Sequence, residues 1–330
     1  MARRALSASQ LSVVQAVRAG LDAETATSVQ TVRVACSGGA DSLALAAGLA
    51  WLDAHEPDPL RRSCAMVVDH GLQPGSNAVA ASVAQVLDGL GLPATVVAVH
   101  VDGVGGLEAS ARDARYTALT SGDVDTVLVG QTMDDQAETV LLGLARGSGT
   151  RSLAGMAPVS HRGRVRLVRP LLGLRRGTTV QACADWGLSV WHDPMNQDSS
   201  FARVRARRLL PELDAALGPG VVEALARTAA LARVDADQLD AEAAHLLAQT
   251  NLDAGLPVAV VREAPVALPG RLVRQWLAGY GVLELSHERT EAVLRLVDQW
   301  HGQSGVDLPG GAQVVRMGNQ LTIRQTADRL

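Results

Sequence analysis

Two patterns of apolar residues alternate through the first half of the chain. Short continuous runs near 31–36, 64–69, 94–101 and 125–130 are separated by stretches near 41–54, 76–91, 108–121 and 134–146 whose apolar positions recur at helical spacing. Runs without polar alternation predict strands buried on both faces, and a strand–helix alternation joined by right-handed crossovers predicts a parallel sheet. Ligands gather at the carboxyl ends of strands in such a sheet. Three polar clusters fall there: residues 37–42 after the first run, Asp69-His70-Gly71-Leu72 after Ala65-Met66-Val67-Val68, and Gly130-Gln131-Thr132-Met133-Asp134-Asp135 after Thr126-Val127-Leu128-Val129. From about 216 the pattern changes to amphipathic helices over 219–249, 264–281 and 286–301, followed by a hairpin-like tail with Pro309-Gly310-Gly311 and Gly318-Asn319. The fold class expected is α/β: a parallel-sheet domain over 1–215, then a helical linker and a small, mostly helical domain over 216–330.

Composition narrows the class. At 330 residues and 47% hydrophobic content, the chain can bury ordinary cores in about two domains. No apolar run reaches the ~18–20 residues of a membrane span, and the start lacks a signal-peptide core, so a cytoplasmic protein with no membrane partner is expected. Cys36, Cys64 and Cys183 form no Cys-x-x-Cys pair and read as small core residues. The net charge of −4 hides a strong segregation. Residues 146–208 carry twelve arginines (146, 151, 162, 164, 166, 169, 175, 176, 203, 205, 207 and 208) against Asp185, Asp193 and Asp198, or 12 − 3 = +9, leaving −13 for the remainder. A basic belt in an acidic molecule suits a phosphate backbone, or simply a solvated face. With eight aromatics in the chain, recognition by shape and phosphates is favoured over base stacking.

The first cluster carries the sharpest chemistry. An apolar strand breaks into Ser37-Gly38-Gly39-Ala40-Asp41-Ser42 and an Ala/Leu-rich helix follows. Glycines allow close backbone approach, and free N–H groups at a helix N-terminus attract pyrophosphate oxygens. The chain has no lysine, which excludes the lysine-dependent phosphate loop of ordinary P-loop NTPases. In the third cluster, Asp135 and Glu138 share a helix face, where they complement the helix dipole or bind an ammonium or magnesium. Glu108, Arg112 and Arg115 share another helix; Glu108 and Arg112 are spaced for an ion pair, and Arg115, beside Tyr116, has no partner evident from spacing.

Seven motifs then occur in order: Ser37–Ser42, Val68-Asp69-His70-Gly71-Leu72, Glu108-x-x-x-Arg112-x-x-Arg115-Tyr116, Asp134-Asp135-Gln136-Ala137-Glu138-Thr139, Arg146-Gly147-Ser148-Gly149, Arg169-Pro170-Leu171-Leu172 and Asp193-Pro194-x-Asn196. Over about 30–212 the chain resembles the tRNA(Ile)-lysidine synthetases, a branch of the PP-loop ATP pyrophosphatases. The resemblance implies an enzyme that uses ATP and Mg2+ to join L-lysine to C2 of the wobble cytidine of the CAU-anticodon tRNA(Ile). It implies that Ser37, Gly38, Gly39, Ala40, Asp41 and Ser42 hold ATP and pyrophosphate, with Asp69 and His70 bordering the pocket. Asp41 would also place magnesium, Arg115 or Arg112 would stabilise the α-phosphate, and Asp135 and Glu138 would bind the lysine ammonium.

Arg146, Arg151, Arg169, Arg203, Arg205 and Arg207 are then candidates for the anticodon arm. With 6–10 phosphate contacts, affinity would fall roughly 10³–10⁵-fold between about 50 and 200 mM salt. The C-terminal region would contact the tRNA body, or stabilise or dimerise the chain. Two departures stand out: Gln131 occupies the place where many relatives have histidine, and Arg203-Val204-Arg205-Ala206-Arg207 keeps the arginines but loses an asparagine. A PP-loop tRNA thiolase would need sulfur-handling cysteines that the chain lacks, and a small-molecule amidating PP-loop enzyme would not need the belt.

Overall fold

A computed structural model describes residues 5–22, 28–71, 73–100, 107–147, 149–282, 285–309 and 311–325. They form two compact units, residues 1–146 with 155–229, and residues 147–154 with 230–330.

The first unit opens with α1 (Ala8–Asp22), β1 (Gln30–Ala35), α2 (Ala40–His55), β2 (Arg61–Asp69), α3 (Ser76–Gly89) and β3 (Ala94–Ala98). It continues through α4 (Leu107–Leu119), β4 (Thr126–Val129) and α5 (Met133–Ala145). The short helix α6 (Thr150–Leu153) belongs to the second unit, after which β5 (Val159–Arg162), β6 (Val165–Val168), α7 (Arg176–Trp186) and α8 (Ala202–Leu217) return to the first. Strand order is β3-β2-β1-β4-β6-β5, parallel except for β5, which pairs antiparallel with β6 at the edge. Successive strands run outward from β1 in one direction and from β4 in the other, so the crevice where a ligand enters such a sheet lies between the ends of β1 and β4.

The expected strands and helices of this half all form. Burial on both faces holds for β4 and β6, whereas β3, an edge strand, leaves Val96 40% exposed. The helix α2 is apolar on every side because residues 42–50 are all buried, packed against the sheet and against α1 and α7. The helix α1 went unread in the sequence although Ser7 and Gln10 form a capping pair: the Ser7 amide donates to Gln10 Oε1 (2.9 Å) and the Gln10 amide to Ser7 Oγ (3.2 Å).

The crevice is tight at one point. A Cβ at Gly130, the residue after β4, would lie 2.9 Å from the Asp41 carbonyl oxygen and 3.0 Å from the Ser42 nitrogen. Only glycine lets the two chain segments touch there. At Gly38, φ is +84° and a Cβ would meet Val83 at 2.6 Å, so the turn before α2 also requires glycine.

The division into units falls within α9 (Val221–Ala248). The second unit then holds β7 (Leu256–Pro257), α10 (Val258–Glu263), α11 (Pro269–Ala278), α12 (His287–Asp298), β8 (Val306–Asp307), β9 (Ala312–Met317) and β10 (Gln320–Gln325). Its strands make an antiparallel sheet ordered β7-β10-β9-β8, with Trp276, Leu277, Val293, Val314 and Leu321 in the core. The expected tail hairpin is β9–β10, widened by two strands of two residues each. Among the described residues, no helix is long and apolar enough to cross a membrane.

Candidate active site

The loop at the end of β1 is held by its own serine. Ser42 Oγ accepts the Ser37 amide hydrogen (3.1 Å) and donates to the Gly39 carbonyl (3.0 Å), while Ser37 itself is exposed. No side chain caps α2 at Gly39, so the first-turn N–H groups of Ala40 and Asp41 remain a site for anionic oxygens. Cys36 and Cys183 are buried under this turn and unpaired, and Cys64 is half-buried. Burial pushes the Cys183 thiol up to about 12, aided by the nearby Asp41 carboxylate.

Beside the loop lies an acidic well. Asp135 caps α5: its Oδ2 accepts both the Thr132 amide and the Thr132 hydroxyl at 2.8 Å. One turn on, Glu138 is completely buried. A buried carboxylate needs cations, and two arginines supply them. Arg207, on α8, donates from Nε (2.7 Å) and Nη2 (3.3 Å) to Glu138. Arg176, at the start of α7, donates Nε to Asp41 (3.1 Å), Nη2 to Asp135 (2.6 Å) and Nη1 to Glu138 (3.5 Å). Asp41 accepts in addition from the Thr179 hydroxyl. Burial raises the Asp41 pKa, and Thr179 and Arg176 only partly offset it. Next to the well, Asp134 is also pushed up by burial, but Arg175 and the Arg176 amide outweigh this and its pKa falls.

A second cluster is cationic. Arg112, Arg115 and Arg162 stand 5.1, 5.3 and 5.9 Å from the centre of the Tyr116 ring. Burial lowers the Arg115 pKa, and the charges of Arg112 and of Arg203 on α8 lower it further. Burial would raise the Tyr116 pKa, yet Arg112, Arg115 and Arg169 outweigh it, so the phenol is lowered. His70 lies at the end of β2, its pKa lowered first by burial and then by Arg115, so it is neutral near pH 7. Asp69 accepts the Gly71 amide (2.9 Å) and shapes that turn. Asp193 likewise fixes its loop, accepting from Gln73 Nε2 (2.7 Å) and the Met195 amide (2.8 Å). The side chains of Glu108 and Asn196 lie outside the described residues.

The structure thus brings Asp41, Asp135 and Glu138 into one well, with Arg115 and His70 in a neighbouring cluster of the same unit. It divides the basic belt. Arg169, expected to face tRNA, is 7% exposed and donates to Gln131 Oε1 (2.5 Å), the Ala157 carbonyl (2.8 Å) and Ser160 Oγ (2.9 Å). Gln131, in the place of the family's histidine, is therefore an anchor for a buried guanidinium. Arg207 is tied to Glu138, and Arg151, in the second unit, is ion-paired with Asp237 and Asp240. Arg146, Arg205 and Arg208 are exposed, and Arg205 donates to the Ser199 and Ser200 carbonyls and Arg208 to the Gln197 carbonyl. Sequence reasoning missed Arg176 and Thr179 as site residues. Their i,i+3 spacing at a helix start was the available signal, but their partners lie up to 138 residues away.

An open parallel sheet with an uncapped Ser-Gly-Gly-x-Asp-Ser loop at its switch point, and an acidic well beside it, defines a PP-loop ATP-binding protein. The PP-loop domain family matches residues 11–213, and the TilS substrate binding domain matches residues 256–322. The tRNA(Ile)-lysidine synthase of Mycolicibacterium paratuberculosis is 49% identical over 84% of this chain and 85% of its own, and that of Nocardia farcinica is 47% identical over 94% and 97%. The chain belongs to the tRNA(Ile)-lysidine synthase family. In fold alone it is similar to the U34-tRNA thiolase NcsA from Methanococcus maripaludis, solved with its 4Fe-4S cluster, at a TM-score of 0.55 and 18% identity over 67% of this chain and 78% of that one.

Proposed function

We propose that this chain converts the wobble cytidine of CAU-anticodon tRNA(Ile) to lysidine in two displacements. Cytosine O2 attacks the α-phosphorus of ATP and the bond to pyrophosphate breaks. The lysine side-chain ammonium gives up one proton, the neutral amine attacks C2, the C2–O2 bond breaks, AMP carries O2 away, and the second nitrogen proton is lost to solvent. The observation that carries this reading is that one guanidinium, Arg176, touches both Asp41 of the phosphate loop and the Asp135–Glu138 pair. The place for the leaving group and the place for the amine are thus one side chain apart.

The loop N–H groups and Ser37 hold the pyrophosphate, and Arg115 with Arg112 faces the charge growing on the α-phosphate. Asp135 and Glu138 take the lysine ammonium through charge-assisted hydrogen bonds. Magnesium fits the donor set: Mg2+ is held typically by one or two carboxylates with phosphate oxygens and water, and Asp41, in the first turn of α2 beside the loop, offers a carboxylate for it. Bound there, it would neutralise the departing pyrophosphate. The substrates are cytoplasmic, and the second unit supplies contacts to the tRNA body or a homodimer surface.

Labelled lysine should enter a CAU-anticodon isoleucine tRNA with ATP and magnesium and resist mild alkali, which strips aminoacyl esters. Pyrophosphate release without incorporation would leave the adenylylation half and point to sulfur or ammonia as the nucleophile. Of the twelve belt arginines, Arg166 and Arg169 are buried and Arg151, Arg162, Arg164, Arg175, Arg176 and Arg207 are ion-paired, and Arg146, Arg203, Arg205 and Arg208 are taken as the phosphate contacts. Four contacts at a slope of about −0.7 each predict that affinity falls only about 50-fold between roughly 50 and 200 mM salt. Filter binding across that range checks it; a drop of about 10³-fold or more would mean that the ion-paired arginines also turn to the phosphates.

A further inference from the structure

Every oxygen of the acidic well that could receive a substrate cation is already in use. Asp135 Oδ2 is spent on the Thr132 cap, and its Oδ1 accepts from Arg176. Glu138 Oε1 accepts from Arg207 and Arg176, and Oε2 from Arg207. Asp41 Oδ1 accepts from Thr179, and Oδ2 from Arg176. A lysine ammonium at Asp135 and Glu138 would stand against the like-charged Arg176 Nη groups, and a magnesium ion at Asp41 against its Nε, so either cation favours withdrawal of the guanidinium. The same three-pronged side chain therefore stands in both places.

We infer that Arg176 is a resident cation that keeps the well closed until nucleotide arrives, and that its departure couples nucleotide binding to lysine binding. This rests on the lysine and magnesium positions proposed above. The side chain of Arg176 is 25% exposed and projects from the first residue of α7, so it has a way out to solvent that needs no movement of the helix. Withdrawing Nε from Asp41 loosens a planar fork whose other two prongs hold Asp135 and Glu138, because the five donors of a guanidinium move as one body. Coupling of this kind is reciprocal and typically amounts to about 5–150-fold in affinity. A seated guanidinium also keeps the three carboxylates from facing one another uncompensated in the empty enzyme. Being held in its charged form by Asp135, Asp41 and Glu138, it is no nucleophile itself.

Calorimetric titration of lysine into the full chain tests this, with and without magnesium and α,β-methylene-ATP. In the wild type the nucleotide should tighten lysine binding at least about fivefold. Arg176→Gln should bind lysine more tightly than wild type without nucleotide, and nucleotide should add nothing further. Arg176→Lys, which keeps the charge but cannot span three carboxylates, should fall between them and covers the case in which the glutamine variant does not fold. Weaker lysine binding in both Arg176 variants, or undiminished coupling, would overturn the gating role. Glu138→Gln separates the two claims: if it leaves lysine affinity unchanged, the lysine site itself is misplaced.

Discussion

Asp41→Asn is expected to lower tRNA-dependent pyrophosphate release by about 10³-fold, roughly 4 kcal/mol of transition-state stabilisation. The substitution preserves shape, and the Thr179 hydroxyl still finds a carbonyl oxygen, so α2 and α7 stay together. The charge is lost, and the new amide turns a donor toward Arg176, which itself only donates. The carboxylate proposed to hold magnesium is then gone, and Asp135 and Glu138 remain tied to Arg176 and Arg207. The pH profile adds a second signature. Burial raises the Asp41 pKa, so as pH falls the wild type protonates this carboxylate earlier than an ordinary aspartate and loses rate on the acid side. The asparagine variant should lack that limb. Pyrophosphate release measured at several pH values reads both effects, and a normal rate in the variant would remove Asp41 from the reaction.

Glu138→Gln should act on the other half of the chemistry. The lysine concentration for half-maximal rate should rise about 10²-fold, near 3 kcal/mol, while pyrophosphate release triggered by tRNA continues. Glutamine fills the same buried volume, but it meets Arg207 and Arg176 with one neutral acceptor in place of a carboxylate. Because Glu138 is fully buried, about 1–3 kcal/mol of stability should go with it, visible as a melting temperature lower by several degrees. Initial rates over a lysine series, beside a thermal melt, separate binding from folding. An unchanged lysine requirement in a destabilised variant would leave Glu138 a purely structural residue.

Much of the catalytic unit was legible because its strands are short apolar runs and its helices begin at polar clusters. The loop at 37–42 and the Asp135–Glu138 pair could be placed at strand ends before any coordinates. What escaped was whatever depends on facing or on distant partners. Counting arginines gave a belt of twelve, but charge does not say which side of the chain an arginine takes; Arg169 runs inward to Gln131 and Arg207 inward to Glu138. Arg176 was counted as one more belt residue because Asp41 lies 135 positions away. The strands β7 and β8 have two residues each, too few for any periodicity to register, so the second unit read as helices with a tail.

The missing side chain at Gly130 has a consequence for substrate range. With the backbone after β4 pressed against the backbone of Asp41 and Ser42, the distance from the phosphate loop to the start of α5 is set by main-chain contact and has no slack. With the lysine site proposed at Asp135 and Glu138, a change in amine length is not taken up by sliding one segment along the other. A shift toward ornithine or a longer diamine would have to be made through side-chain length, at Asp135, Glu138 or the cation between them, on a rail of fixed gauge.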